Sequence, residues 1–155
     1  METEEIQQAL STSEFFKGFD RAQINEIAGI CTARSCAAGE FLFRQGDFGE
    51  HLYVIVDGQI HLERSMDFGQ RKGTVVIESL GKGRILGCWS TLLNSPHILM
   101  SSANCQRPTQ VLTVKGSELH QMMTRNTEIG FNILERLCFL LRDRIQAAYG
   151  AMEKI

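Results

Sequence analysis

A chain of 155 residues matches the size of one compact domain and leaves no room for a second of ordinary size. Sixteen basic against eighteen acidic residues give a formal net charge of −2, which excludes binding to nucleic acid or an anionic membrane by charge alone. Hydrophobic residues at 43% and charged residues at 22% exclude disorder and fibrous repeats.

The first ten residues carry three glutamates where a secretory leader would be basic and then apolar, and no run approaches the roughly 18 apolar residues of a membrane span. A cytoplasmic protein is therefore expected. Ile6 to Cys31 reads as helical, with Ile24, Ile27, Ala28 and Cys31 at three- and four-residue spacing and a break near Lys17-Gly18, which predicts two short helices around a turn. From Ser35 to Val114 the pattern changes to short β-type runs at Glu40–Arg44, His51–Val56, Gln59–Arg64, Thr74–Ser79, Ile85–Gly87, Ser101–Cys105 and Gln110–Val114. Nine of the fourteen glycines fall between Gly39 and Gly87 and supply the turns. Asp57-Gly58 between two alternating runs is the clearest hairpin signal, in a turn type that needs positive φ at both central residues.

After Gly116 the chain is helical again, one helix opening at Ser117-Glu118-Leu119 and a longer one running from Thr127-Glu128 to about Ala148. In the longer helix Ile129, Ile133, Leu137, Leu141, Ile145 and Ala148 form one apolar stripe, and Phe131, Leu134, Cys138 and Phe139 much of a second. A helix apolar on two sides needs two partners, so a homodimer is expected, with Ile133, Leu137, Leu141 and Ile145 assigned to the dimer helix; the alternative is one broad stripe buried in its own domain. The five cysteines are odd in number and sit in apolar company, as small buried side chains rather than a disulfide framework. Cys31 and Cys36 have no nearby histidine to complete a zinc site.

Two segments, Phe15-Phe16-Lys17-Gly18-Phe19 and Ala38-Gly39-Glu40-Phe41-Leu42-Phe43-Arg44-Gln45-Gly46-Asp47-Phe48-Gly49-Glu50-His51-Leu52-Tyr53-Val54-Ile55-Val56-Asp57-Gly58-Gln59-Ile60, followed by Ile77 to Gly87, resemble the cyclic-nucleotide-binding domain. That family serves catabolite-activator-type regulators, kinase regulatory subunits and gated channels, and the likeness runs from about Glu14 to Arg144. It implies an α+β, mainly β fold: an eight-stranded antiparallel, jelly-roll-like β-roll flanked by N-terminal helices and a long C-terminal dimer-forming helix. The expected organisation is a single domain over 1–155, with N-terminal helices over 1–34, the β-roll over 35–115 carrying a phosphate-binding cassette at 85–105, C-terminal helices over 117–150, and no helix-turn-helix domain.

In this family a glycine lets the backbone approach the ligand, the next glutamate accepts from the ribose 2′-hydroxyl, and a later arginine pairs with the phosphate. Gly87 keeps the glycine, but Cys88 stands in place of the glutamate and no arginine occurs between Ile85 and Gln106. A hydrogen bond to a charged group contributes roughly 1.5–3 kcal/mol, so losing both anchors predicts weak binding of cyclic AMP or cyclic GMP, or none. Arg84 and Arg107 flank the cassette, and either is placed in the sequence to reach back. Gly87, Cys88, Trp89, Ser90, Thr91, Ser101 and Ser102 are the candidate ligand-binding residues, the hydroxyls offering either a pocket lining or helix caps and Trp89 either a stacking surface or a core side chain. The alternatives are a haem or redox sensor on the same fold, with Cys88, His97, Met100 and Cys105 as ligands by type, and a ligand-free dimeric interaction module. No catalytic motif occurs, and His51 and His61 read as surface or rim residues, so no enzyme is expected. Partners are expected to be a second copy, a small molecule or another protein, without direct DNA binding and without a membrane.

Overall fold

The computed structural model describes all 155 residues. Helices α1 (Thr3–Ser11) and α2 (Arg21–Ala28) flank the Lys17-Gly18 break, and α2 begins at a reciprocal cap in which the Asp20 carboxylate accepts from Gln23 N at 2.8 Å while the Gln23 side chain accepts from Asp20 N at 3.0 Å. Strands β1 (Cys31–Cys36), β4 (His51–Asp57), β7 (Ile85–Gly87) and β10 (Thr109–Lys115) make one four-stranded sheet in the order β1-β10-β4-β7. Strands β2 (Phe41–Phe43), β5 (Ile60–Asp67), β6 (Lys72–Leu80) and β9 (Ser102–Cys105) make a second in the order β2-β9-β5-β6. All pairings are antiparallel, so the two sheets give the eight-stranded roll; β3 (Phe48–Gly49) and β8 (His97–Ile98) form a separate two-stranded flap. Helices α3 (Gly116–Arg125) and α4 (Thr127–Met152) close the chain.

Strand alternation divides the apolar residues between two cores. Tyr53, Ile55, Leu86 and Val111 face the second sheet and fill the roll, while Leu52, Val54, Ile85, Leu112 and Val114 face outward onto the helices. The outer core takes in Leu10, Phe15, Phe16, Ile24 and Ile27 from the N-terminal segment and Leu119, Met122, Ile129, Ile133 and Leu137 from α3 and α4.

The structure differs from three expectations. The roll begins at Cys31, ahead of the expected boundary at residue 35, because Cys31–Cys36 pairs along β10 from Cys31 opposite Val114 to Cys36 opposite Thr109. The strand is exposed at four successive positions, so its sequence carries no alternation to read. Asp57-Gly58 is not a hairpin: β4 and β5 belong to different sheets, only Gly58 has positive φ (+125°), and the chain turns there from one sheet to the other. The sheet hairpin is β5–β6, paired from Ile60 opposite Leu80 to Asp67 opposite Lys72. Thirdly, Ile133 (fully buried) and Leu137 (7% exposed), assigned to the dimer helix, lie in their own domain's core; Leu141 is half-buried and only Ile145 of that set is exposed. The uncovered apolar face of α4 is the other stripe, Phe131, Leu134 and Cys138, continued by Ile145 and Met152.

Candidate functional site

Gly87 closes β7 opposite Leu52 with φ +133°, and a Cβ there would overlap the His51 carbonyl. A side chain at 87 would therefore push the strand off β4, which is why the chain has glycine at this point. Cys88 N donates back to His51 O at 3.0 Å, and a short 3₁₀ helix, Trp89–Leu93, follows. Thr91 is buried and donates its hydroxyl to Cys88 O at 2.7 Å, and Asn94 ends the helix in the left-handed region at φ +57°.

Cys88 is 5% exposed. Its Sγ lies 3.3 Å from Ser90 Oγ and 3.7 Å from the His97 carbonyl, so flap strand β8 sits directly over it. Gly49 of the other flap strand completes the closure: a Cβ on it would come within 2.7 Å of Cys88 Cβ and 2.9 Å of Leu99 Cδ2. Cys88 and Leu99 thereby join the interior core of the roll with Phe43, Tyr53 and Leu86. A cleft of about 580 Å³ lies elsewhere, between α1 and the turn at Lys82-Gly83, and no residue of 87–102 lines it.

Gly87 to Thr91 are thus brought together as one turn, but Ser101 and Ser102 are not joined to it. Ser102 accepts from Gln45 N at 2.8 Å and serves the loop between β2 and β3; Ser101 is half-buried beside it. Trp89 packs into the outer core against Phe15 at 5.9 Å between ring centroids, with the Arg144 guanidinium 5.6 Å from its ring. Neither flanking arginine reaches the cassette: Arg84 pairs with Glu14 (2.8 Å) and Glu78 (2.9 Å), and Arg107 donates to Gly58 O at 3.3 Å. Burial works against the Arg84 charge, but Glu14 and Glu78 outweigh it and hold its pKa above the ordinary value.

Sequence reasoning missed two residues. Arg64, distant in the chain, donates to the Met100 carbonyl. Arg144, a full fold away, contacts Trp89. Neither has a local signal, because each reaches the site through sheet and helix packing. The candidate haem ligands do not converge: Cys88 and Cys105 are buried, Met100 is 70% exposed, and His97 is exposed with Nδ1 3.0 Å from Ile98 O. No group of three or more His, Cys, Asp or Glu side chains is placed to hold a metal ion. Cys105 has its thiol pKa pushed up to about 11 by burial first and the neighbouring Cys36 second.

A family profile described as "Cyclic nucleotide-binding domain" matches residues 33–126. The chain is similar to the cGMP-dependent protein kinase, isozyme 1, of Drosophila melanogaster, at 31% identity over 91 residues; the match covers 59% of this chain and 11% of that protein, so the chain spans about a tenth of that relative. Among solved structures it resembles a cyclic nucleotide-binding domain from Methylobacillus flagellatus, with 22% identity and a TM-score of 0.79 over 99% of this chain and 84% of that one. It also resembles the sensor domain of the transcriptional regulator DNR from Pseudomonas aeruginosa, with 19% identity and a TM-score of 0.72 over 93% of each chain. At these identities the structural likeness is one of fold.

Proposed function

Because this chain belongs to the cyclic nucleotide-binding domain family, we propose that it is a regulatory sensor domain, not an enzyme, whose cassette binds cyclic AMP or cyclic GMP weakly or not at all. The observation that carries this reading is Cys88, a 5% exposed thiol roofed by Gly49 and Leu99 where the family resemblance calls for a carboxylate facing a ribose. A cyclic phosphate placed beside it would bring one negative charge with no guanidinium from residues 85–106 to meet it, and Arg84 is already spent on two carboxylates. The residues present do not fit a tightly held cyclic nucleotide. Titration of the purified chain with cyclic AMP and with cyclic GMP, followed by calorimetry, tests this. Dissociation constants above about 10 μM for both are expected from the two missing charged hydrogen bonds, and submicromolar affinity for either overturns the reading.

The output surface in this reading is α4, acting through a homodimer. Phe131, Leu134, Cys138, Leu141, Ile145, Ala148 and Met152 recur at alternating three- and four-residue steps, which is a heptad seam, and most of them are exposed. A heptad seam fits another helix of the same period, and a second copy of α4 supplies one. Cys138 lies within this seam and is exposed, so mild oxidation of the native protein with copper phenanthroline should yield a covalent dimer that Cys138→Ser abolishes. A native chain that stays monomeric by sedimentation at 100 μM would sink the dimer. No helix is long and apolar enough to cross a membrane, and five free thiols support a cytoplasmic setting.

A further inference from the structure

Four charged side chains from four separate segments meet where the helices join the roll. Glu14, from the turn after α1, accepts from Ile85 N at 2.9 Å and from Arg84 Nε at 2.8 Å. Arg84 reaches on to Glu78 Oε1 of β6 at 2.9 Å, and Glu78 Oε2 lies 2.6 Å from Arg144 Nε on α4. Arg144 also donates to the Ile85 carbonyl at 2.7 Å and stands over the Trp89 ring. One arginine therefore touches β6, the strand that enters the cassette, and the cassette helix.

Its isolation on α4 makes this contact consequential. Between residues 141 and 155 no other side chain donates a hydrogen bond or forms an ion pair to anything outside α4. Of that stretch only Ala151 is buried. The C-terminal half of α4 thus rests on small apolar contacts and one polar anchor, and that anchor is 11% exposed in its side chain. A guanidinium so desolvated is stable only while its carboxylate partner is present.

We propose that Arg144 is a positioning residue, a latch that holds the C-terminal half of α4 on the roll and ties its position to that of Trp89 and Ile85. A shift of the cassette helix displaces the ring and carbonyl that Arg144 holds, and loss of the Glu78 pair frees the helix end. The inference rests on the reading of α4 as the output element, but it stands apart from whether α4 dimerises. Burial pushes the Arg144 pKa down, partly offset by Glu78, which agrees with an anchor that depends on its partner.

Trp89 is the only tryptophan, so its fluorescence reports the latch without a background. Hydrogen exchange and Trp89 emission are measured on the full chain for Glu78→Gln and Arg144→Gln, with Arg125→Gln, which removes an exposed 3.8 Å pair to Glu26, as control. In both latch variants, amides of residues 141–152 should exchange at least about tenfold faster, and Trp89 emission should shift, while β4 and β10 exchange as before. Unchanged exchange over 141–152 in both variants overturns the latch. So does a uniform rise across the roll or loss of the whole fold, which would make Arg144 a general stabiliser. A failed Cys138 cross-link with faster exchange at the helix end would defeat the seam and leave the latch standing.

Discussion

Gly87 and Cys88 are neighbours with opposite roles. Gly87 is needed by the backbone: with φ +133° and the His51 carbonyl 2.4 Å from where a Cβ would stand, Gly87→Ala should lower stability by about 2–4 kcal/mol, read from chemical denaturation. Cys88 packs as a small side chain that fits beneath Gly49 and Leu99. Cys88→Ala should therefore leave the fold intact at a cost of about 1 kcal/mol. Cys88→Glu should destabilise by more than about 3 kcal/mol, because the carboxylate enters the apolar interior of the roll. A Cys88→Glu variant as stable as the parent would show that the flap opens freely and that the site is not closed.

At the scale of the element, α4 separates two stripes that look alike in one dimension. Leu137 and Leu134 are both leucines on one helix, yet Leu137 is 7% exposed and Leu134 is 37% exposed. Leu137→Glu should unfold the domain or cost more than about 3 kcal/mol, since it buries a charge in the outer core. The double variant Leu134→Glu/Ile145→Glu should keep its circular dichroism and melting behaviour while sedimenting as a monomer, because both positions lie on the uncovered face. Periodicity locates both stripes, but it cannot tell which one its own domain covers. The covered stripe is the one that Ile129, Ile133, Leu137 and Leu140 place in the outer core, and α4 packs there closely enough that a Cβ at Gly130 would come within 2.7 Å of the Met123 carbonyl.

Across the whole molecule, the thiols link stability to pH. Burial pushes the Cys31 thiol up to about 12, and burial together with Cys36 pushes Cys105 up to about 11, against an ordinary 9.0. Between pH 9 and 11 the unfolded chain releases these protons while the folded chain keeps them, so the unfolded state binds fewer protons and stability falls as pH rises. Each thiol contributes at most about 1.4 kcal/mol per pH unit in that window. Denaturation midpoints at pH 8, 9 and 10 should decline, and Cys31→Ala should flatten the decline. A thiol-reactive dye on the native protein at pH 8 should label one cysteine quickly, Cys138, the exposed member of the five.

The four helices, seven of the ten strands, the turn-rich middle and the family frame were legible in the amino-acid sequence, because each is encoded in local spacing or in residue identity. β1 escaped, since its exposed run from Thr32 to Ser35 is a strand only through the edge of β10. So did the role of Asp57-Gly58, whose residues favour a turn without saying whether the next strand stays in the sheet or crosses to the other. The closure of Cys88 beneath the flap, the diversion of Arg84 to Glu14 and Glu78, and the meeting of Arg144 with Trp89 were decided only by the tertiary structure. The physical reason is common to all three. A side chain's partner is set by which distant segments the two cores bring within a few ångströms, and no periodicity along the chain records that distance.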